Sequence, residues 1–292
     1  MLFWQLAGNA VVVGCHTLLL AVTFSLVFNT ARFFHFAHAG VYTLGAYLAL
    51  LMLGGYGLPF VVAFSGATIG TALAGIGCEL LVYRPLRKRG ASQIVLLLAS
   101  IGLYLILENA IALYFGNEVQ TIRTEQIRNI VTLGVIRVTN GQIALVVGTV
   151  LLTVGLGLLL KFSRAGVLMR AVASSATLAD AAGIPRQRVL LWTMASSSAL
   201  AGAGGVLTSL DVDLLPHAGF HALMLATVSV VIGGRRGIIL GAVVGSVIAT
   251  VIRQTAAWFC GSLWQDAVLL IVMLMVLYFC PRGFVTSGAE RA

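Results

Sequence analysis

Two pairs of histidines are the side chains whose spacing first suggests chemistry. His35 and His38 lie three residues apart, and His217 and His221 lie four apart, so each pair could place two ring nitrogens on one helix face. Neither pair has a neighbouring Asp, Glu or Cys, and a protein metal site needs three or four ligands. The sequence therefore predicts no metal site, no catalytic residue and no cofactor bound by this chain itself.

Charged residues within apolar segments are the next candidates. Glu108 lies deepest in its segment, and Arg253 also falls within one, whereas Asp266 lies close to a segment end. Charges inside a membrane are costly and mark functional sites or buried pairs. We interpret Glu108 and Arg253 as candidate buried charges. Two alternatives remain open for Arg253, which either extends its side chain to the membrane surface or pairs with an acid.

Nucleotide chemistry is not encoded in this chain. Its only two lysines are Lys88 and Lys161, and neither follows a glycine, so no phosphate-binding GxxxxGK[ST] loop is present. If ATP drives the protein, a separate subunit hydrolyses it.

Composition fixes the class of protein that must position these residues. The 292 residues are 60% hydrophobic and 9% charged, whereas a soluble domain carries about 25% charged residues. Apolar runs long enough to cross a bilayer recur along the chain, which predicts an all-α polytopic membrane protein with eight to nine segments. The predicted segments are 9–31, 36–54, 58–82, 93–114, 141–161, 189–209, 218–234, 237–258 and 264–280. Segments 36–54 and 218–234 are short and are predicted to be broken or re-entrant.

The basic residues predict an orientation with the N-terminus outside and the C-terminus cytoplasmic. This arrangement places 14 of the 18 lysines and arginines on the inner side, three on the outer side and Arg253 within a segment. Positive residues concentrate on the cytoplasmic side of membrane proteins. The net charge of +9 is thus explained by topology and inner-leaflet contact, and not by nucleic-acid binding.

A short sequence motif that occurs twice, His-Ala-Gly, predicts the solute path. His38-Ala39-Gly40 opens one apolar segment and His217-Ala218-Gly219 opens another, and the predicted orientation runs them in opposite directions. Inverted repeats with broken helices at mid-membrane are a common transporter design. We therefore expect an inverted repeat, with the path lined by the two motif regions, namely Phe36, Ala37, His38, Ala39, Gly40, His217, Ala218 and Gly219.

Two segments outside the membrane are large enough to bind other proteins. The outer loop 115–140 contains a β-branched stretch that predicts a hairpin bending at Leu133-Gly134. The basic inner segment 162–188 contains an alanine-rich stretch, 170–184, which predicts one short helix ended by Gly183 and Pro185. Such a helix has no core of its own and suits a groove on a partner. The residues assigned to this coupling role are Arg170, Ala171, Val172, Ala173, Ala182, Gly183 and Ile184.

An ordered set of motifs resembles one family. Residues 29–40 read NTARFFHFAHAG and are followed by LGAY at 44–47, and Tyr83-Arg84-Pro85-Leu86-Arg87 follows further along. Residues 166–173 with 182–184, then Ile232-Gly233-Gly234 and 279–283, continue the series. Together these motifs are similar to those of branched-chain amino-acid ABC transporter permeases of the LivH type, in order along nearly the whole chain.

The resemblance implies a single permease domain, 1–292, in a bacterial inner membrane. It implies a homologous permease subunit, two cytoplasmic ATPase subunits that bind ATP and Mg, and a periplasmic substrate-binding protein as partners. The coupling segment would dock on an ATPase. The implied solute is a branched-chain or other apolar amino acid, and urea or short amides remain alternatives. An ATP-independent secondary transporter, a channel and a membrane-embedded enzyme are rivals of other classes.

Overall fold

The fold is almost wholly helical. The computed structural model describes residues 2–122, 129–133, 136–234 and 237–279. Its helices, in chain order, are α1 (Leu2–Ala31), α2 (Ala37–Leu50), α3 (Phe60–Gly77), α4 (Arg84–Lys88), α5 (Gln93–Phe115), α6 (Asn140–Phe162), α7 (Arg164–Ser174), α8 (Ala176–Ala181), α9 (Arg186–Ser209), α10 (Ala218–Gly233), α11 (Ile238–Cys260) and α12 (Gln265–Phe279). The prediction of an all-α polytopic membrane protein is confirmed.

Two helices continue into wider π-helical turns. Leu51–Gly55 extends α2, and Cys78–Tyr83 joins α3 to α4. With these extensions, seven helices within the described ranges are long and apolar enough to cross a bilayer. Helices α10 and α12 are apolar but shorter, at 16 and 15 residues, which at 1.5 Å per residue is roughly 22–24 Å against a hydrocarbon core of about 30 Å. Of the two segments predicted to be short, 218–234 is short and 36–54 is long enough to span.

Helices α1 and α9 form the centre of the bundle. Helix α1 packs against α6, α7, α9, α10 and α11, and α9 packs against α2 and α3. Most of α1 and α9 is buried, whereas α3, α5 and α6 expose large apolar side chains such as Leu113 and Leu151. The outer helices therefore present surfaces suited to lipid or to other membrane subunits.

Close helix contacts depend on glycines that face each other. A Cβ on Gly45 of α2 would lie 2.4 Å from the carbonyl oxygen of Gly202 on α9. A Cβ on Gly205 would lie 2.1 Å from the carbonyl oxygen of Tyr42. Both contacts join backbone to backbone, so α2 and α9 approach as closely as small residues allow.

The inner segment differs from the prediction. A single helix over 170–184 is wrong, because Ser175 has extended backbone angles and separates α7 from α8. The Ser175 hydroxyl accepts a hydrogen bond from the N–H of Leu178 at 3.3 Å, which caps α8 in the way that serine does at helix starts. The predicted stop agrees with the structure, since Gly183 has a φ of +75° after the last residue of α8.

The outer segment contains the predicted hairpin. Strands β1 (Ile130–Leu133) and β2 (Ile136–Thr139) pair antiparallel, with Val131 opposite Val138. Gly134, at the predicted bend, lies outside the described residues. Thr139 then starts α6 with a reciprocal cap, in which its hydroxyl accepts from the Gln142 N–H and its own N–H donates to the Gln142 side chain.

The close contact between α2 and α9 leads to a stability prediction. We expect Gly45→Ala to destabilise the protein by about 1–3 kcal/mol, because backbone must move to admit the methyl group. Gly155→Ala is the matched control, since Gly155 is also in a helix interior and has open space at its Cβ position. That change should be neutral or stabilising by up to about 1 kcal/mol. Thermal unfolding of the purified variants measures the difference, and equal behaviour of the two would contradict it.

Candidate functional site

A cavity of about 300 Å³ lies among α1, α2, α9, α10 and α11. Its walls include Thr43 from α2, Gly205 from α9 and Ala222 from α10. Val212 and Asp213, in the connection between α9 and α10, are exposed and form its rim. The volume is at the lower end of the range for small-molecule sites. The cavity thus has the size and the access that a small solute requires.

One side of the cavity is organised by a histidine and a carboxylate. The Nε2 of His16 lies 3.0 Å from Oδ2 of Asp211, and its Nδ1 lies 3.2 Å from the hydroxyl oxygen of Thr208. Gln142 donates a hydrogen bond to the other Asp211 oxygen at 3.0 Å. This network fixes the His16 ring in the wall through both of its nitrogens.

A second charged cluster involves residues of α10, α11 and α12. Arg253 Nε donates to Asp266 Oδ1 at 2.8 Å, and His221 Nε2 lies 2.9 Å from Asp266 Oδ2. Arg253 and His221 line the cavity, and Asp266 holds both of them. Of the alternatives open for Arg253, the structure supports pairing with an acid. A guanidinium has five N–H donors, so this pairing leaves donors for a ligand.

The outer segment lies directly against the cavity wall. Gln120 and Leu214 pair as an antiparallel bridge, with N–H···O distances of 3.1 and 2.8 Å. Leu214 lines the cavity, so the loop after α5 supports the wall from outside. The outer loop 115–140 is therefore in contact with this site through Gln120.

The predicted path residues divide into two groups. Ala218 and Gly219 line the cavity, and His217 is exposed beside it. In contrast, Ala37, His38, Ala39 and Gly40 are buried, and Phe36 is half-buried. The two motifs do meet, because a Cβ on Gly219 would lie 2.4 Å from the carbonyl oxygen of Ala39. Phe36 and Phe220 also stack, with ring centroids 6.1 Å apart.

Helix α2 begins well inside the bundle. The Nε2 of His38 lies 3.0 Å from the hydroxyl oxygen of Thr23, eight residues before the last residue of α1. At 1.5 Å per residue this is roughly 12 Å back along α1. The connection 32–36 therefore returns alongside α1 before α2 starts, which supports the interpretation of this helix as broken at depth.

The starts of α2 and α10 have little capacity left for an anion. The N–H groups of His38 and Ala39 donate to the carbonyls of His35 and Phe36, and the N–H of Phe36 donates to the Ser100 hydroxyl at 3.1 Å. At α10, the Ala218 N–H donates to the Leu215 carbonyl. Because helix-terminal N–H groups bind anions only while unpaired, the side chains of the cavity are better placed to bind charge.

The predicted coupling residues lie on a segment that is partly buried. Val172 is buried against the core, Ala171, Ala173 and Ile184 are half-buried, and Arg170, Ala182 and Gly183 are exposed. Within α7 and α8, Leu178 is the most exposed large apolar side chain, at 72%. A partner that docks here would therefore contact α8 more than the buried face of α7.

Arg32 connects this inner segment to the start of α2. It ends α1 in a left-handed conformation, with a φ of +61°, and its guanidinium donates to the carbonyls of Ala173 and Ser174 at the end of α7. A cation at a helix C-terminus also interacts favourably with the helix dipole. Movement of α7 would therefore be transmitted to residues 32–36.

Glu108 lies apart from the cavity. It is half-buried on α5 and shares a hydrogen bond with Tyr104, whose ring is 5.6 Å from that of Phe220. Glu108 and Arg253 are therefore on different sites and do not pair. Tyr104, Phe36 and Phe220 form an aromatic cluster next to Gly219, which lines the cavity.

Several cavity residues were missed from the sequence. Tyr42 and Thr43 lie two and three residues after the His38-Ala39-Gly40 motif, and His16 with Thr17 interrupts an apolar run. The Asp211-Val212-Asp213 stretch was a usable signal, because it places two of the nine acidic residues of the chain between two apolar runs.

Comparison with known proteins gives a consistent result. Residues 6–277 match the family described as "Branched-chain amino acid transport system / permease component". The high-affinity branched-chain amino acid transport system permease protein BraD of Pseudomonas aeruginosa is 30% identical over 294 residues, which cover 96% of this chain and 95% of that protein.

Two further relatives are more distant. The high-affinity branched-chain amino acid transport system permease protein LivH of Escherichia coli K12 is 27% identical over 295 residues, covering 96% of this chain and 94% of LivH. A probable branched-chain amino acid transport permease protein LivH of Methanocaldococcus jannaschii is 26% identical over 285 residues, covering 94% and 90%. No solved structure matched the chain.

The burial of the two motifs predicts different reactivities. In a background with the native cysteines replaced, we expect Ala218→Cys to react with a small polar thiol reagent, because Ala218 lines the cavity. Ala39→Cys, at a fully buried position, should react at least tenfold more slowly in the resting protein. Mass spectrometry of the labelled protein measures both rates. A fast reaction at Ala39→Cys, or no reaction at Ala218→Cys, would show that the solute path does not run through this cavity.

Proposed function

Because this chain belongs to the family of permease components of branched-chain amino-acid transport systems, we propose that it carries a branched-chain or other apolar amino acid as the membrane subunit of an ABC importer. Family membership confirms the resemblance drawn from the sequence. A permease moves its solute without covalent chemistry. The chain would work in the inner membrane with a homologous permease, two ATPases and a periplasmic binding protein.

The observation that carries the solute assignment is the charge pattern of the cavity. Asp213 contributes a negative charge to the cavity and Arg253 a positive one, while Val13, Leu214 and Leu225 form apolar walls. A zwitterion needs both signs of charge, because an ion buried without a partner costs several kcal/mol. The apolar walls suit an aliphatic side chain. Urea or a short amide needs neither charge, so the pattern favours an amino acid.

The proposed orientation puts the cavity on the outer side. The N-terminus of α1 and the hairpin would face the periplasm, and α4, α7 and α8 would face the cytoplasm with most of the basic residues. A solute released by a periplasmic binding protein would then enter at Val212 and Asp213. The Ala218→Cys variant tests this orientation, since a reagent that cannot cross the membrane should reach it only from the periplasmic side.

ATP hydrolysis would act through α8. In the proposed orientation the exposed Leu178 projects from the cytoplasmic face, and Arg32 links the end of α7 to the connection before α2. Closure of the ATPases would push α7 and α8, and Arg32 would pass this movement to α2 as a rigid-body displacement. ATP and Mg are bound by those partners in this proposal.

We expect Arg253→Gln to weaken leucine uptake at low leucine concentration by roughly tenfold or more, since a hydrogen bond to a charged group contributes about 1.5–3 kcal/mol. Arg137→Gln is the control, because Arg137 is an exposed arginine on β2 away from the cavity. Uptake into vesicles that hold the whole transporter gives the apparent KM. Equal values for both variants would remove Arg253 from the solute site.

The solute itself is tested by competition in the same vesicles. Excess leucine, isoleucine and valine should each suppress uptake, whereas urea and a short amide should not. If urea or the amide abolishes transport and the amino acids leave it unchanged, the solute assignment is wrong and the importer assignment stands. Uptake that persists without the ATPase subunits would instead indicate a secondary transporter.

We expect Leu178→Asp to reduce co-purification of the ATPase subunits and to lower transport-coupled ATP hydrolysis at least fivefold, because a charge replaces an apolar contact. Leu178→Met should retain both. Val119→Asp places the same charge at an exposed apolar residue of the outer loop and serves as the control. Normal coupling in Leu178→Asp would show that α8 is not the docking helix.

A further inference from the structure

A second cavity, of about 540 Å³, lies where α4 meets the start of α9. Its lining is mainly basic and comes from two separate parts of the chain. The cations are Arg84, Arg87 and Lys88 from α4 with Arg186 and Arg188 from α9, and Asp180 is the acid among the lining residues. No step of the transport function proposed above uses this cavity.

Among the described residues, the cations of this cavity outnumber the acids that pair with them. Arg87 is paired with the buried Glu79, and Arg84 Nε donates to Gln187 Oε1 at 3.0 Å. The Nε of Arg186 is buried and has no hydrogen-bond partner within the described part of the chain. Arg87 and Arg186 are also close enough to repel each other electrostatically.

An anion with several acceptor oxygens would satisfy this arrangement. An unpaired buried donor on a charged group is costly, and guanidinium groups bind phosphate through parallel hydrogen bonds. Phosphate also offers more acceptors than one carboxylate, which suits a cavity with cations on two opposing helices. The lining therefore favours a phosphate group.

Apolar surfaces flank the basic cavity. Leu81 is 79% exposed and lies three residues before Arg84, and Trp192 is 44% exposed and lies four residues after Arg188. Arg188 and Trp192, four residues apart, share a face of α9, and α9 packs against the π-helical turn that contains Leu81. A ligand with a phosphate and acyl chains could thus place its phosphate among the arginines and its chains on Leu81 and Trp192.

We propose that this cavity binds the phosphate of an anionic phospholipid, such as phosphatidylglycerol, from the inner leaflet. The site goes beyond the proposed transport function and shares with it only the orientation, in which α4 and the start of α9 face the cytoplasm. Basic pockets between membrane helices on that side bind anionic headgroups. The lipid would tie α4 to α9 through their arginines, beside the proposed ATPase contact on α8.

Native mass spectrometry of the intact transporter in detergent tests the proposal, with added phosphatidylglycerol, phosphatidylcholine or inorganic phosphate. We expect phosphatidylglycerol to remain bound at concentrations at which phosphatidylcholine does not. Arg186→Gln with Arg188→Gln should lower its retention about tenfold, and the single exposed change Arg188→Gln should lower it severalfold. Arg164→Gln, an exposed arginine outside the cavity, should leave retention unchanged.

Three results would overturn the proposal. Equal retention of the two lipids in the unaltered protein would exclude recognition of an anionic headgroup. Protection from thermal unfolding by inorganic phosphate, to the same extent as by a short-chain phosphatidylglycerol, would assign the cavity to a free phosphate. Loss of the ATPase subunits in Arg188→Gln with unchanged lipid retention would assign it to an acidic protein surface. Leucine uptake enters none of these readouts, so a failed solute assignment is distinguishable from a failed lipid site.

Discussion

The close approach of backbones around α2 is the constraint on which the rest of the structure depends. Gly45 and Gly205 let α2 contact α9 without intervening side chains, and Gly219 lets α10 contact α2 at Ala39. In a membrane, helices gain little from apolar burial and associate instead through such contacts. Because α2 is held on both sides, Thr43 and Ala218 are brought together in the wall of the cavity.

Much of the architecture was predictable because the bilayer imposes simple requirements. Long apolar runs predicted the bounds of most long helices to within a few residues, although α1 begins at Leu2 and not at residue 9, and a β-branched stretch predicted the hairpin before Asn140. The break at Ser175 was not predicted, since alanine-rich sequence on both sides favours one continuous helix. The serine cap and the packing of Val172 against the core outweigh that propensity.

The solute site was less predictable for a physical reason. Its walls combine His16, Thr43, Asp213 and Arg253, and spacing along the chain cannot reveal which distant residues share a cavity. The two repeated His-Ala-Gly motifs were predicted to line the solute path, but of these residues only Ala218 and Gly219 line the cavity, and most of the first motif is buried where the two motifs meet. The helix crossing and the open space beside it became apparent only from the fold.

The π-helical turn at Cys78–Tyr83 gives α4 a property that a continuous α-helix lacks. Such a turn contains more residues than an α-turn and is only marginally stable relative to it. Each residue of an α-helix advances the chain by about 100° around the axis, so relaxing the turn would rotate α4 while α3 stayed in place. The ion pair between Glu79 and Arg87 spans this turn, and the Tyr83 hydroxyl is hydrogen-bonded to His35 Nδ1. Both contacts would resist the rotation. The π-helical turn would thus let α4 rotate relative to α3 once these two contacts break.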